Sequence, residues 1–355
     1  MKQFDSKRMI LPCTSSIRDG VERLDQIAAD TTPHSVLFII DEGQRLVGTV
    51  TDGDVRRRLL IDGTVTGPIT ECMHTNFRFL SRAKFEPTEA EKLRNLNIRF
   101  VPLLTESGTI EKILDLSAYK AFLPLEAVLM AGGEGQRLRP LTQSTPKPLL
   151  RIGDKTIIEH NIERLMKYGV NKIHVSVRYL KEQIVEYLGN GERWGISVEY
   201  IIEDSPLGTI GALGQKEGFT SEYVLVMNSD LLTNIDFADF YTFFQNSEAD
   251  FLIACIPFKV SVPYAVIEVD SDHNILSLQE KPMMTYFSNA GIYLFRREIA
   301  DLIPRGQKLD ATDLIENIIS KGMKVKSYPL SNYWLDIGRM EDFKKAQEDI
   351  KHIIF

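Results

Sequence analysis

The sequence contains no run approaching the ~18 apolar residues that a membrane span requires. The opening stretch, MKQFDSKRMILPC, is also too polar to be read as a secretion signal. There is no basic excess. The net charge is −7, where a nucleic-acid binder would ordinarily carry a basic stripe, so no nucleic-acid partner is expected. The only cysteines are Cys13, Cys72 and Cys255, far apart and without metal-like spacing. They read as buried, reduced thiols, and the expectation is a cytoplasmic protein with no membrane partner.

What is present begins with ordinary globular proportions, 43% hydrophobic and 26% charged, over 355 residues, enough for two domains. Residues 1–120 carry a faint internal repeat. Val36–Ile40 aligns with Phe100–Leu104 at an offset of 64 residues (100 − 36). Each is an apolar strand followed by a Gly-containing turn and a second strand, at 46–50 and 110–114. Helical spacing precedes each, at 17–29 and 88–95. A short segment, 121–126, with Pro124 in it, reads as a linker too brief to be a floppy tether, and 127–355 as the second domain.

In the second domain strands and helices alternate. Strands are expected at 127–130, 172–177, 197–202 and 223–227, with helices at 157–167, 182–188 and 210–216. Such alternation predicts an α/β fold with a mostly parallel, Rossmann-like sheet covered by helices, whose ligands sit at the carboxyl ends of the strands. There the apolar run Ala127–Ala131 feeds into Gly132, Gly133 and Gly135, then Arg137 and Lys147. Glycines after a strand let the backbone approach a ligand and offer N–H groups to phosphate oxygens. The loop is neither a dinucleotide fingerprint, since Leu138 stands where a third glycine belongs, nor a Walker A loop, since no Gly-Lys-Ser/Thr closes it. Further on, Asp230 follows the apolar run Tyr223–Met227, where a carboxylate can hold Mg²⁺ against phosphate oxygens. Asp236 is better placed than Asp230 to cap the helix that follows.

The segment Gly132–Leu138 with Pro140-Leu141-Thr142 and Pro146-Lys147-Pro148 resembles the signature of the sugar-1-phosphate nucleotidylyltransferases, and the resemblance extends to about Gln347. It implies that Met130, Ala131, Gly132, Gly133, Gly135, Arg137 and Lys147 hold a nucleoside triphosphate. Asp230 and Asp336, the latter in Trp334-Leu-Asp-Ile-Gly338, would share Mg²⁺. Glu203, Pro206, Gly208 and Thr209 form the implied base-reading loop. Guanine's adjacent N–H donors match the two acceptors of the Glu203 carboxylate, which tilts the choice toward GTP. Thr209 has a second reading, as a helix cap. Glu280, Lys281, Asn289 and Gly291 would hold the sugar phosphate, with Arg137, Lys147, Asp230 and Lys281 serving catalysis. His160 and His174 are not needed as bases, because a phosphate monoester is already anionic at neutral pH.

In the first domain, Gly48-Thr-Val-Thr-Asp-Gly-Asp54 is similar to the end of a CBS repeat, and two repeats make a CBS pair. That likeness implies Thr51 near the phosphate and Asp54 near the ribose of an adenosine nucleotide. Lys112, Asp115 and Ala118 replace Gly48, Thr51 and Asp54 in the second repeat, so at most one ligand site is expected. Sensor and dimerising module both remain open, and a homo-oligomer is expected. A CBS pair ahead of a nucleotidyltransferase domain resembles the glucosamine-1-phosphate guanylyltransferases of bacterial legionaminic acid synthesis. Mannose-1-phosphate guanylyltransferases and a non-catalytic nucleotide sensor are the alternatives.

Overall fold

The computed structural model describes residues 6–30, 35–81 and 87–353. The chain divides into two compact units, Met1–Phe122 and Leu123–Phe355.

In the first unit the internal repeat is a repeat of structure. Strands Ile10–Pro12, Val36–Ile40 and Leu46–Thr51 form one three-stranded sheet, and Leu80–Ser81, Phe100–Leu104 and Ile110–Asp115 form another of the same order. In each, the first pair is parallel and the second antiparallel. A bulge falls at the same place in both hairpins, before Ile40↔Leu46 and before Leu104↔Ile110. Helices Ile17–Asp30 and Pro87–Asn95 lie where the apolar spacing placed them. The halves diverge at their ends. Thr51 starts the helix Asp52–Asp62, whereas Asp115 starts only a 3₁₀ turn, Leu116–Ala118. Phe100, Leu104 and Ile113 of the second half pack into the core of the first.

The second unit is built on a seven-stranded sheet in the order Ser197–Ile202, Lys172–Val177, Leu125–Met130, Tyr223–Asn228, Met283–Arg296, Phe251–Ser261, Val325–Pro329. Every strand is parallel to its neighbours except Met283–Arg296, which runs against both. Unbroken burial along Leu125–Leu129 and Tyr223–Met227 means both faces are covered, as the continuous apolar runs anticipate. On one face Val128, Val224, Val226 and Phe295 meet Leu314 and Ile318 of the helix Ala311–Ser320. Residues expected as a linker are packed instead. Phe122 joins the first unit's core, the Leu123 N–H donates to the Tyr168 carbonyl (2.9 Å), and Glu126, 1% exposed, lies in the central strand.

Two features depart from expectation. Residues 210–216, read as a helix, form a 3₁₀ turn at Gly211–Gln215. Here the glycines serve close packing: a Cβ at Gly211 would lie 2.8 Å from the Gln307 carbonyl, and at Gly214 2.7 Å from that of Pro304. The second departure is an arm. Past Cys255 and Asn289, the strands Phe251–Ser261 and Met283–Arg296 leave the sheet as a two-stranded ribbon, joined through the hairpin Val266–Val269/Ile275–Gln279. Among the described residues no helix is long and apolar enough to cross a membrane.

Candidate nucleotide site

The central strand ends at Met130, whose carbonyl accepts from both the N–H and the hydroxyl of Ser229, at 3.1 and 2.7 Å. The Ala131 N–H donates to the Ser176 carbonyl at 2.9 Å. These bonds tie the start of the glycine loop to the strand ends on either side. Gly133 has nothing within 4 Å of where a Cβ would stand, so the loop's backbone is open at this point. Gly135 takes φ +61°, and its carbonyl accepts from Leu138 N–H and the Thr142 hydroxyl. A Cβ there would sit 3.2 Å from that of Lys147, so this turn sets where the lysine enters the site.

Lys147 is 8% exposed and reaches between two carboxylates. Its Nζ pairs with Asp230 and lies 3.8 Å from Asp336 Oδ1. The two aspartates come from the middle and the end of the domain sequence. They are joined because Leu231–Thr233 pairs antiparallel with Trp334–Asp336, and Ile337 N–H donates to the Asp230 carbonyl at 3.1 Å. Burial, and next the Asp230 charge, push the Asp336 carboxyl above its usual range, with Lys147 and Arg137 offsetting part of this. Arg137 closes the group. A Cβ at Gly338 would stand 3.4 Å from its guanidinium and 3.6 Å from Asp336 Oδ2.

Oδ1 of Asp230 and Oδ1 of Asp336 are both buried without a hydrogen-bond partner. Buried oxygens of this kind are rare unless something else satisfies them. An oxygen-preferring divalent cation such as Mg²⁺ fits that donor set, with phosphates and water completing its coordination. Among the described residues no group of three or more His, Cys, Asp or Glu is placed to hold a metal ion.

The remaining expected residues fall into three places. Asn289 and Gly291 join the group: Gly291, at φ +70°, backs onto the Asn228 side chain, and Trp334 Nε1 donates to the Ala290 carbonyl at 2.9 Å. Asn289 itself accepts from Gly291 N–H and donates to the Tyr293 hydroxyl. Glu280 and Lys281 stand instead at the outer end of the arm, exposed, with Lys281 in a left-handed turn (φ 44°). Neither hydrogen bonds nor ion pairs link them to Lys147, Asp230 or Asp336. In the third place, Glu203 is 6% exposed, with one carboxylate oxygen taking the Ser176 hydroxyl and the other the Leu207 N–H at 3.2 Å. Gly208 (φ +81°) lies against the Leu309 carbonyl, and Pro206 is exposed. Thr209 caps a helix, but not the one adjacent in sequence. Its hydroxyl accepts from Ala311 N–H and its own N–H donates to Asp310, at the start of Ala311–Ser320.

Asp236 caps Phe237–Asn246, accepting from Ala238 and Asp239 N–H, which leaves Asp230 free as anticipated. His160 bonds the Ile152 carbonyl and His174 the buried Glu126, so neither stands in the site. Arg178 was missed by sequence reasoning. It follows the Lys172–Val177 strand and pairs with Glu134 of the glycine loop at 3.4 Å. The available signal was its position, a basic residue just past a buried strand.

Residues 126–353 match the family model described as nucleotidyl transferase. The chain belongs to that family. Among curated relatives, the chain is 29% identical over 231 residues to mannose-1-phosphate guanylyltransferase of Mycobacterium tuberculosis, covering 64% of each chain. It is also 29% identical over 241 residues to UTP–glucose-1-phosphate uridylyltransferase of Synechocystis, covering 62% of each. The chain thus spans somewhat under two thirds of the length of these relatives. The crystal structure of HddC from Yersinia pseudotuberculosis complexed with GMP-PN superposes with a TM-score of 0.50 at 25% identity, covering 63% of this chain and 99% of that one.

In the first unit, the Thr51 hydroxyl and N–H both donate to Asp54, at 2.6 and 2.8 Å, and Asp54 N–H returns a bond to the Thr51 hydroxyl. The pair forms a capping box for Asp52–Asp62. Burial opposes ionisation of Asp54, but the Thr51 bonds and Arg57 outweigh it and lower its pKa.

Proposed function

We propose that this protein transfers a nucleotidyl group from a nucleoside triphosphate, GTP by preference, to a sugar 1-phosphate, releasing pyrophosphate. The observation that carries the reading is Lys147 held between Asp230 and Asp336, each with an orphaned buried oxygen, beside an open glycine loop. A pure nucleotide sensor has no use for two such carboxylates.

In the reaction a non-bridging oxygen of the sugar phosphate attacks the α-phosphorus. The bond from the α-phosphorus to the α–β bridging oxygen breaks, and pyrophosphate leaves with that electron pair. No proton need be removed from the nucleophile, so the task is to bring two anions together. The glycine-loop N–H groups cradle phosphate oxygens, and Arg137 and Lys147 offset charge on the triphosphate and its leaving group. Mg²⁺ bound by Asp230 and Asp336 would neutralise charge at the transferring phosphate. Asn289 and Gly291, beside Asn228, are the candidate floor for the sugar phosphate, with Lys281 steering it from the arm.

Glucosamine 1-phosphate is the acceptor proposed, in bacterial surface-glycan or nonulosonic acid synthesis such as that of legionaminic acid. The support is the sequence likeness of the first unit to a CBS pair, and that unit is proposed to take an adenosine nucleotide at Thr51 and Asp54 and to form a homo-oligomer. Mannose 1-phosphate is the second reading, favoured by the Mycobacterium relative. Pyrophosphate release from four NTPs against glucosamine, mannose and glucose 1-phosphates tests the assignment. Preference for GTP is expected. Nucleotide binding without release from any pair would make the protein a sensor.

A further inference from the structure

Gly132, Glu203 and Arg178 meet at one spot on the carboxyl edge of the sheet. A Cβ on Gly132 would come within 2.4 Å of Glu203 Oε1 and 3.5 Å of the Arg178 Cβ. Of the two side chains, Glu203 is fixed in place. It is 6% exposed, and its oxygens are engaged by Ser176 and Leu207. Each oxygen keeps acceptor capacity for the N1–H and N2–H of guanine, which leaves O6 and N7 to another group.

Arg178 is not committed. It is the first residue past the strand Lys172–Val177, and among the described residues its guanidinium hydrogen-bonds only to Glu134, through two contacts of 3.4 Å, at the weak limit of hydrogen bonding. Glu134 also accepts from Gln136 Nε2 at 2.8 Å, and that bond, more than Arg178, lowers its carboxyl pKa. Arg178 can therefore leave Glu134 without stranding that carboxylate. A guanidinium is a planar fork of donors suited to paired acceptors. Guanine presents such a pair, O6 and N7, whereas adenine sets a donor beside N7 and uracil offers O4 alone.

We propose that Arg178 selects guanine by donating to O6 and N7, while Glu203 shapes the pocket by holding Ser176 and the Leu207 loop. The proposal rests on the reading of this site as a guanylyl-transfer site, and it names a residue that reading leaves out.

The test is steady-state pyrophosphate release by the full-length protein with GTP, 7-deaza-GTP (which lacks N7) and UTP, for wild type, Arg178→Lys and Arg178→Ala. Wild type should lose roughly tenfold or more in kcat/KM from GTP to 7-deaza-GTP. Arg178→Ala should use the two guanine nucleotides alike, with UTP turnover little changed and the GTP preference collapsed. Arg178→Lys, which keeps charge but not the fork, should fall between. Equal use of GTP and 7-deaza-GTP by wild type would overturn the proposal while leaving GTP preference standing. Equal slowing of all three nucleotides by Arg178→Ala would also overturn it, assigning the charge to phosphate. A wild type that prefers UTP would remove the guanylyl reading itself, and this arm of the test requires no variant to fold.

Discussion

A buried lysine between two aspartates leaves the Lys147 cluster one negative charge in excess until Arg137 is counted. That balance suits a site that must bind both a cation and a polyanion. Asp230→Asn and Asp336→Asn should each lower turnover by ~10²-fold or more while the circular dichroism spectrum is unchanged. Near-normal turnover of either variant at limiting Mg²⁺ would take that residue out of the metal pair. A different residue should contribute to acid stability. Glu126 accepts from His174, Thr220 and Ser221, and these bonds outweigh burial, holding its carboxyl well below the usual 4.5. A depressed carboxyl stabilises the fold above its unfolded pKa, and that contribution fades as pH falls below it. Glu126→Gln should therefore cost about 2–3 kcal/mol in urea denaturation at pH 7. The difference from wild type should shrink in acid, and an unchanged gap well below pH 4.5 would contradict the linkage.

At the scale of elements, the glycines separate packing from ligand approach. Gly208 is at φ +81° with the Leu309 carbonyl 2.5 Å from a would-be Cβ, so Gly208→Ala should destabilise by about 2–3 kcal/mol. Gly133 faces open space. Gly133→Ala should melt like wild type, within ~0.5 kcal/mol, yet raise KM for the triphosphate, because the methyl group occupies the space the phosphates approach. An unchanged KM would show that the loop does not cradle them there. The four expected strands, the glycine loop and the place of Asp230 were legible because each is written locally, as an apolar run ending in glycine or carboxylate. The partnership of Asp336 with Asp230 came only from the family resemblance, and the strands Phe251–Ser261, Met283–Arg296 and Val325–Pro329 were not anticipated. The 3₁₀ turn at Gly211–Gln215 was not, since its glycines answer to carbonyls of residues 303–307, far along the chain. The same holds for Thr209, whose partners are Asp310 and Ala311. Arg178 escaped for another reason: only the fold shows that the residue after one strand lies against the glycine after another.

As a whole molecule, the chain is two units with separate cores, and every residue of the proposed transfer site lies in the second. A protein beginning at Leu123 should fold and release pyrophosphate at a rate of the same order as the full chain. Starting later should fail, because Leu125–Met130 lies inside the seven-stranded sheet. If the protein shortened to Leu123 does not fold, the first unit is needed for the second. In the first unit, calorimetry on the full chain should find at most one AMP, ADP or ATP bound, and none in Asp54→Ala, which also gives up a cap worth about 1 kcal/mol. Two nucleotides per chain would contradict the asymmetry between Thr51 and Asp115.

The arm adds a timescale. Among the described residues, the outer backbone groups between Cys255 and Ser261 have no sheet neighbour, and the same is true of Met283–Asn289 opposite. The hairpin beyond it, with Ile267, Val269, Ile275 and Leu278 each about half exposed or more, is an isolated pair of strands, a form marginally stable in water. Its amide protons should trade with deuterium long before those of Leu125–Met130, which exchange only when the whole unit opens. Glu280 and Lys281 directly follow that hairpin. The segment proposed to meet the sugar phosphate should thus open and close many times for each unfolding of the sheet proposed to hold the nucleotide.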